Sequence, residues 1–198
     1  MKITTYETGG APFIGSASET ALPAGLEFIQ SVNPSGASVV EFDLDTTTKY
    51  RGFRFVVNMC RPTTAQLLFF QPKHGGVYYT NNNSSGIRTD KYGTTNAVSS
   101  QSLGSANGFG LHTGNVGTTT TLSVSADIHL RCSREAATEY WMQADITYRN
   151  SSGSDKHEFL SYRNFTAVSN TVDGVRFHFP SYSFATADGQ SITLYGIT

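Results

Sequence analysis

Leu122-Ser-Val-Ser-Ala-Asp-Ile-His-Leu-Arg-Cys132 alternates without a break. Leu122, Val124, Ala126, Ile128, Leu130 and Cys132 share one side, and Ser123, Ser125, Asp127, His129 and Arg131 share the other. Successive side chains of an extended chain point to opposite faces, so a strict period of two predicts a half-buried antiparallel strand. Tyr140, Met142, Ala144, Ile146 and Tyr148 repeat the pattern against Gln143, Asp145, Thr147 and Arg149. Between these runs, Ser133-Arg-Glu-Ala-Ala-Thr-Glu139 could cap a helix at Ser133, but the flanking periodicity favours a single turn.

The same signal extends in both directions. Leu26 to Val32 reads as a first strand, closed by the turn signal Asn33-Pro34-Ser-Gly36. Ser38 to Leu44 follows, and then Tyr50-Arg-Gly-Phe-Arg-Phe-Val-Val-Asn58, with Phe53, Phe55 and Val57 on one face. Ala65-Gln-Leu-Leu-Phe-Phe70 is an apolar run short enough for a buried strand. Gln71 to Gly117 is rich in glycine and asparagine, which predicts excursions and short edge strands. His157 to Tyr162 is a further strand. Val175-Arg-Phe-His-Phe179 and Gly189-Gln-Ser-Ile-Thr-Leu-Tyr-Gly-Ile197 close the chain, and a chain ending on a strand is expected to be tied into a sheet there. Val175, Phe177, Phe179, Ile192, Leu194 and Tyr195 are the expected core of these terminal strands.

Roughly nine or ten strands at about 10–16-residue spacing argue for a sandwich or barrel rather than βαβ units. The economical arrangement is an all-β, two-sheet antiparallel sandwich, jelly-roll-like, because two sheets face to face bury every inward set. It forms one domain over residues 26–198. Residues 1–25 carry few large apolar side chains and read as an irregular N-terminal arm, either an unstructured leader or a segment that orders against a partner.

Charged residues make up only 15% and the formal net charge is -1, which provides no basic field to gather nucleic acid or an anionic membrane. No run approaches the length of a membrane-spanning helix, and Met1-Lys-Ile-Thr-Thr-Tyr6 does not begin a signal peptide. Cys60 and Cys132 sit in apolar strand context and read as buried free thiols.

Catalytic signatures are thin, and no cofactor or metal is expected. His157-Glu158 opens like a zincin motif, but Ser161 stands where the second histidine belongs. His74, His112, His129 and His178 are scattered, the last two on polar strand faces. There is no Gly-x-Ser-x-Gly elbow. Asp127 and Asp145 could face each other across a sheet, as glycosidase carboxylates do. Arg51-Gly-Phe-Arg-Phe-Val-Val57 approaches an RNA-recognition signature, but Arg54 replaces its small residue, so Phe53 and Phe55 read as core. Asn82, Asn150 and Asn164 begin Asn-x-Ser/Thr sequons and read as polar loops. Tyr78, Tyr79, Asn81, Asn82 and Tyr92 combine aromatic faces with amides, the pairing that holds sugars. They are the candidate glycan or receptor contacts, with an ordinary tyrosine-rich edge as the alternative.

The ending Gly189-Gln190-Ser191-Ile192-Thr193-Leu194-Tyr195-Gly196-Ile197 resembles that of small all-β phage virion proteins, which close on Gly-x-Ile-x-Leu-Tyr-Gly-Ile. Two residues separate the glycine from the isoleucine here, where the pattern has one. The likeness continues in order through the Leu26–Val32 strand, the strand region at 35–44, Tyr50 to Asn58, Arg61-Pro62-Thr63-Thr64 and Gly75-Gly76-Val77-Tyr78-Tyr79. It covers roughly residues 26 to 198 and omits the arm. The resemblance implies a non-enzymatic structural protein on the exterior of a bacteriophage virion, as a capsid decoration, head spike or tail-fibre component. It also implies a homotrimer that docks on other virion proteins and possesses no cofactor. A carbohydrate-binding or receptor-binding module is the alternative, with a host surface glycan as partner.

Overall fold

The computed structural model describes residues 25–45, 49–78, 84–92, 95–102, 104–105, 107–119, 121–132, 140–164 and 172–198. Every regular element among them is a β-strand. One antiparallel sheet has eight strands. In spatial order they are β1 (Leu26–Val32), β14 (Ser191–Ile197), β3 (Gly52–Cys60), β10 (Val124–Cys132), β11 (Tyr140–Arg149), β12 (Asp155–Asn164), β6 (Ser84–Tyr92) and β7 (Thr95–Ser102). The other has six: β2 (Val39–Asp43), β13 (Val172–His178), β4 (Phe69–His74), β9 (Gly108–Gly110) and β8 (Gly104–Ser105), with β5 (Val77–Tyr78) paired to β4.

The strand order defines a jelly roll. β1-β14-β3-β10 lie side by side in one sheet and β2-β13-β4-β9 in the other, so the chain crosses the sandwich at each step from β1 to β4 and again on either side of β13. The last two strands accordingly belong to different sheets. β13 sits between β2 and β4, while β14 is inserted between β1 and β3. β11, β12, β6 and β7 then widen the larger sheet beyond the basic roll.

The alternation read from the sequence sorts the core. Phe55 of β3 meets Phe42 of β2, Phe70 of β4 and Phe177 of β13 edge to face, with ring centroids 5.7, 5.8 and 5.5 Å apart. These T-shaped contacts place the positive edge of one ring on the negative face of the next. Under the widened half, Phe109 packs on Tyr162 at 4.1 Å and on Tyr140 at 6.3 Å. Cys60 is a buried free thiol whose pKa is pushed up to about 12 by burial. The expectation for the Cys132 thiol lies outside the described residues, as does that for the arm over residues 1–24.

Two elements differ from expectation. The buried strand expected at Ala65–Phe70 starts later, at Phe69, and runs to His74. Its inward residues are Phe70, Pro72 and His74, and the apolar run of the sequence shares only Phe69 and Phe70 with the strand. In the glycine-rich stretch, β5, β8 and β9 are short as expected, but β6 and β7 are a long hairpin of nine and eight residues. Backbone pairing carries that hairpin, from Tyr92 opposite Thr95 to Ser85 opposite Ser102, and its sequence holds no apolar alternation that would announce it.

Of the expected terminal-strand core, Val175, Phe177, Phe179, Ile192 and Leu194 are fully buried. Tyr195 is not. It follows inward Leu194, so alternation turns it to the outer face, where it meets Phe28 edge-on at 6.0 Å.

Candidate functional site

The outward positions of β10, β11 and β12 form a continuous strip at the centre of the larger sheet. Pairing aligns them in rows: Arg131 beside Trp141; His129 beside Gln143 beside Ser161; Asp127 beside Asp145 beside Phe159; Ser125 beside Thr147 beside His157. The inward partners on the same strands, from Ile128 to Met142 and Leu160, are buried and fix which face each side chain takes. Trp141 is the only tryptophan of the chain. Its indole N–H donates to Ser161 Oγ at 3.2 Å, and the Arg131 guanidinium stands 5.3 Å over the ring. Phe159, two rows further along, is 40% exposed.

Two carboxylates directly opposite each other repel unless compensated. Asp127 and Asp145 are such a pair, and basic groups flank both. Arg54 of β3 donates from Nε to Asp127 Oδ1 at 2.8 Å and from Nη2 to Oδ2 at 2.5 Å, the two-pronged geometry that guanidinium and carboxylate favour. His129 Nε2 lies 3.4 Å from Asp127, and His157 Nε2 lies 2.6 Å from Asp145 Oδ1. The hydrogen bond from Arg54 holds the Asp127 carboxyl below the usual carboxylate range, against partial burial that acts the other way. A glycosidase acid needs its pKa raised so that it keeps a proton. Asp127 is shifted in the opposite direction, and its chemistry is that of an ionised acceptor.

Beyond the lowest row the strip opens into a cleft of about 530 Å³, lined among others by Ser123, Ser125, Thr147, Arg149 and His157. Met59 stands beside it. A register shift between β3 and β10 leaves Met59 in a bulge at φ +50°, 49% exposed, with its N–H donated to Ser125 Oγ at 3.1 Å. A left-handed conformation costs an L-residue about 1–2 kcal/mol.

On the inner side of the same strands a polar cluster ties down the segment after β9. Glu158 is fully buried. It accepts from the Thr113 N–H at 3.0 Å, the Thr113 hydroxyl at 2.5 Å and the Tyr148 hydroxyl at 2.5 Å. Tyr148 in turn accepts from the Gly114 N–H at 3.0 Å. Burial, then the Glu158 carboxylate, pushes the Tyr148 hydroxyl pKa up and keeps it protonated as a donor. His112 accepts the Leu68 N–H at Nε2, 3.0 Å, so its proton is on Nδ1, which donates to the Gly114 carbonyl at 2.8 Å.

Of the residues expected to hold a glycan, only Tyr78 has a described side chain. Tyr78 belongs to the smaller sheet, where the Arg176 guanidinium covers its ring at 4.2 Å and Lys73 approaches at 5.9 Å. Burial, then the neighbouring Glu41 carboxylate, raises its hydroxyl pKa. Tyr92 ends β6 in the other sheet. Tyr79, Asn81 and Asn82 lie outside the described residues. His178 was expected on a solvated face, but it is half-buried, donates from Nε2 to the Asn107 carbonyl at 2.9 Å and has its pKa lowered by burial. Sequence reasoning missed Trp141, although a signal was present: the lone tryptophan falls on the polar phase of an otherwise regular alternation.

Among the described residues, no group of three or more His, Cys, Asp or Glu side chains could hold a metal ion. The class these observations define is an antiparallel jelly roll with an enlarged sheet. No protein-family model, curated protein or solved structure matches the chain.

Proposed function

We propose that the chain is a non-enzymatic structural protein of a bacteriophage virion, carried on the particle exterior as a capsid decoration, head spike or tail-fibre component. The observation that carries this reading is one edge strand of the larger sheet, β1: among the described residues it pairs only with β14, and it exposes Leu26 and Phe28 by 47% and 45%. Unpaired backbone groups beside large exposed apolar side chains are a template for association with another chain. β1 also follows directly on residues 1–25, the arm assigned to docking. Support comes further from the jelly-roll order, an architecture shared by viral capsid and lectin domains, and from the motif order ending in Leu194-Tyr195-Gly196-Ile197. In this reading the arm attaches to other virion proteins, while the sandwich self-associates as a homotrimer through interfaces of about 1,200–2,000 Å².

Light scattering of the full chain tests the self-association, with a Leu26→Lys, Phe28→Lys double variant beside it. A trimer that the double variant converts to monomer, with an unchanged far-UV spectrum, is the expected outcome. A wild-type monomer at micromolar concentration, or absence of the chain from purified particles by mass spectrometry, would remove the reading.

A further inference from the structure

We infer that the outer strip of β10, β11 and β12 binds a linear, neutral oligosaccharide, with Trp141 and Phe159 as stacking platforms. The inference does not depend on the virion reading, because it stands on a different face of the molecule from the β1 edge.

The outward face of these strands is otherwise polar, and Trp141 and Phe159 are set into it rather than turned to the core. Four residues of strand separate Trp141 from Asp145, the residue level with Phe159, which is about 14 Å along the strand direction. One face of a pyranose ring carries mostly C–H groups and loses little on leaving water for an aromatic surface. Two platforms that far apart suit successive units of a chain better than a single sugar.

Between and beside the rings lie the groups that sugar hydroxyls need. Gln143 offers a carbonyl and an amide, Ser161 a hydroxyl, and Asp127 and Asp145 carboxylate oxygens. Several of these are already held in place. The Trp141 N–H is tied to Ser161, and Asp127 is gripped by Arg54, so little side-chain freedom remains to be lost on binding. The strip continues past Thr147 to Arg149, about 27 Å from Trp141 along the strand, and runs into the cleft beside Ser125 and His157. Arg131 lies over the indole at one end and is exposed, so it can swing aside or donate to the ligand.

Charge decides the class of sugar. The centre of the strip is the facing pair Asp127 and Asp145, with side chains 37% and 59% exposed. Arg54 already balances Asp127, so the centre of the strip offers a uronate, sialylated or sulfated chain no surplus cation, whereas a neutral chain donates hydroxyls to the carboxylates. The same reasoning disfavours an acidic peptide.

The single tryptophan makes the test specific, since its emission reports this face alone. Neutral linear hexasaccharides of glucose, mannose, galactose and N-acetylglucosamine are titrated into the full chain, with sialylated and sulfated hexasaccharides and a poly-glutamate peptide in parallel. The expected result is a saturable change in Trp141 emission with at least one neutral series. Disaccharides of that series should bind more weakly, Phe159→Ala should weaken binding roughly ten-fold, and Trp141→Ala should abolish it by calorimetry. Thermal unfolding of each variant checks the fold, and Gln143→Ala, at an outward position with no ring to lose, replaces Trp141→Ala should that variant unfold. The inference is overturned by no response to any neutral chain, by binding confined to the anionic chains or the peptide, or by full affinity in Phe159→Ala.

Discussion

At the scale of single residues, the terminal motif can be read physically. Gly189 adopts φ +79°, a conformation that glycine takes without penalty, and turns the chain into the last strand. Gln190 is buried outside that strand, accepting the Arg61 N–H at 3.0 Å and donating to the Ala185 carbonyl at 2.7 Å, which accounts for the additional residue before Ile192. Leu194 enters the core and Tyr195 leaves it. Gly196 is there for space: a Cβ would stand 2.2 Å from the Tyr50 ring, which needs that room to pack on Phe53 at 5.6 Å. Leu194→Ala should therefore cost about 2–5 kcal/mol in urea unfolding. Tyr195→Ala, which loses only an outer-face ring contact with Phe28, should cost about 1 kcal/mol. Equal losses would contradict the assignment of the two faces. These inward and outward assignments are open to sequence reasoning wherever alternation is strict, and by that phase Tyr195, next to inward Leu194, belongs on the outer face.

Among the elements, legibility followed apolar periodicity. β10 and β11 could be placed almost residue by residue because one face of each is buried. The β6–β7 hairpin has no such pattern, and its existence rests on backbone pairing that composition does not encode. The segment after β9 was equally opaque, since what fixes it is a glutamate forty-five residues away. Glu158→Gln keeps the size but replaces one acceptor oxygen with a donor amide, facing the Thr113 and Tyr148 donors. We expect a loss of about 2–3 kcal/mol by chemical denaturation, with faster amide exchange at Thr113 and Gly114. Unchanged exchange there would show that Glu158 does not secure the segment. The candidate strip was half visible: Asp127 and Asp145 could be suspected of facing each other, but the row containing Phe159 needs the β11–β12 register, which no local signal supplies.

For the molecule as a whole, the sandwich class was legible and the strand order was not, because neighbours such as β1 and β14 or β3 and β10 are distant in sequence. Buried side chains from both sheets, including those of the widened half, form one continuous core. We expect a single cooperative transition in which Trp141 emission and far-UV signal coincide; separated midpoints would mean that the widened half melts independently. The position of β14 between β1 and β3 has one more consequence. During synthesis, both of those strands emerge long before Ser191–Ile197, and each must wait with a bare edge for a partner still inside the ribosome. The larger sheet can close only after translation of that segment is finished, so the nascent chain passes through a period of exposed pairing edges in which neighbouring copies on one polysome would compete with the chain's own last strand.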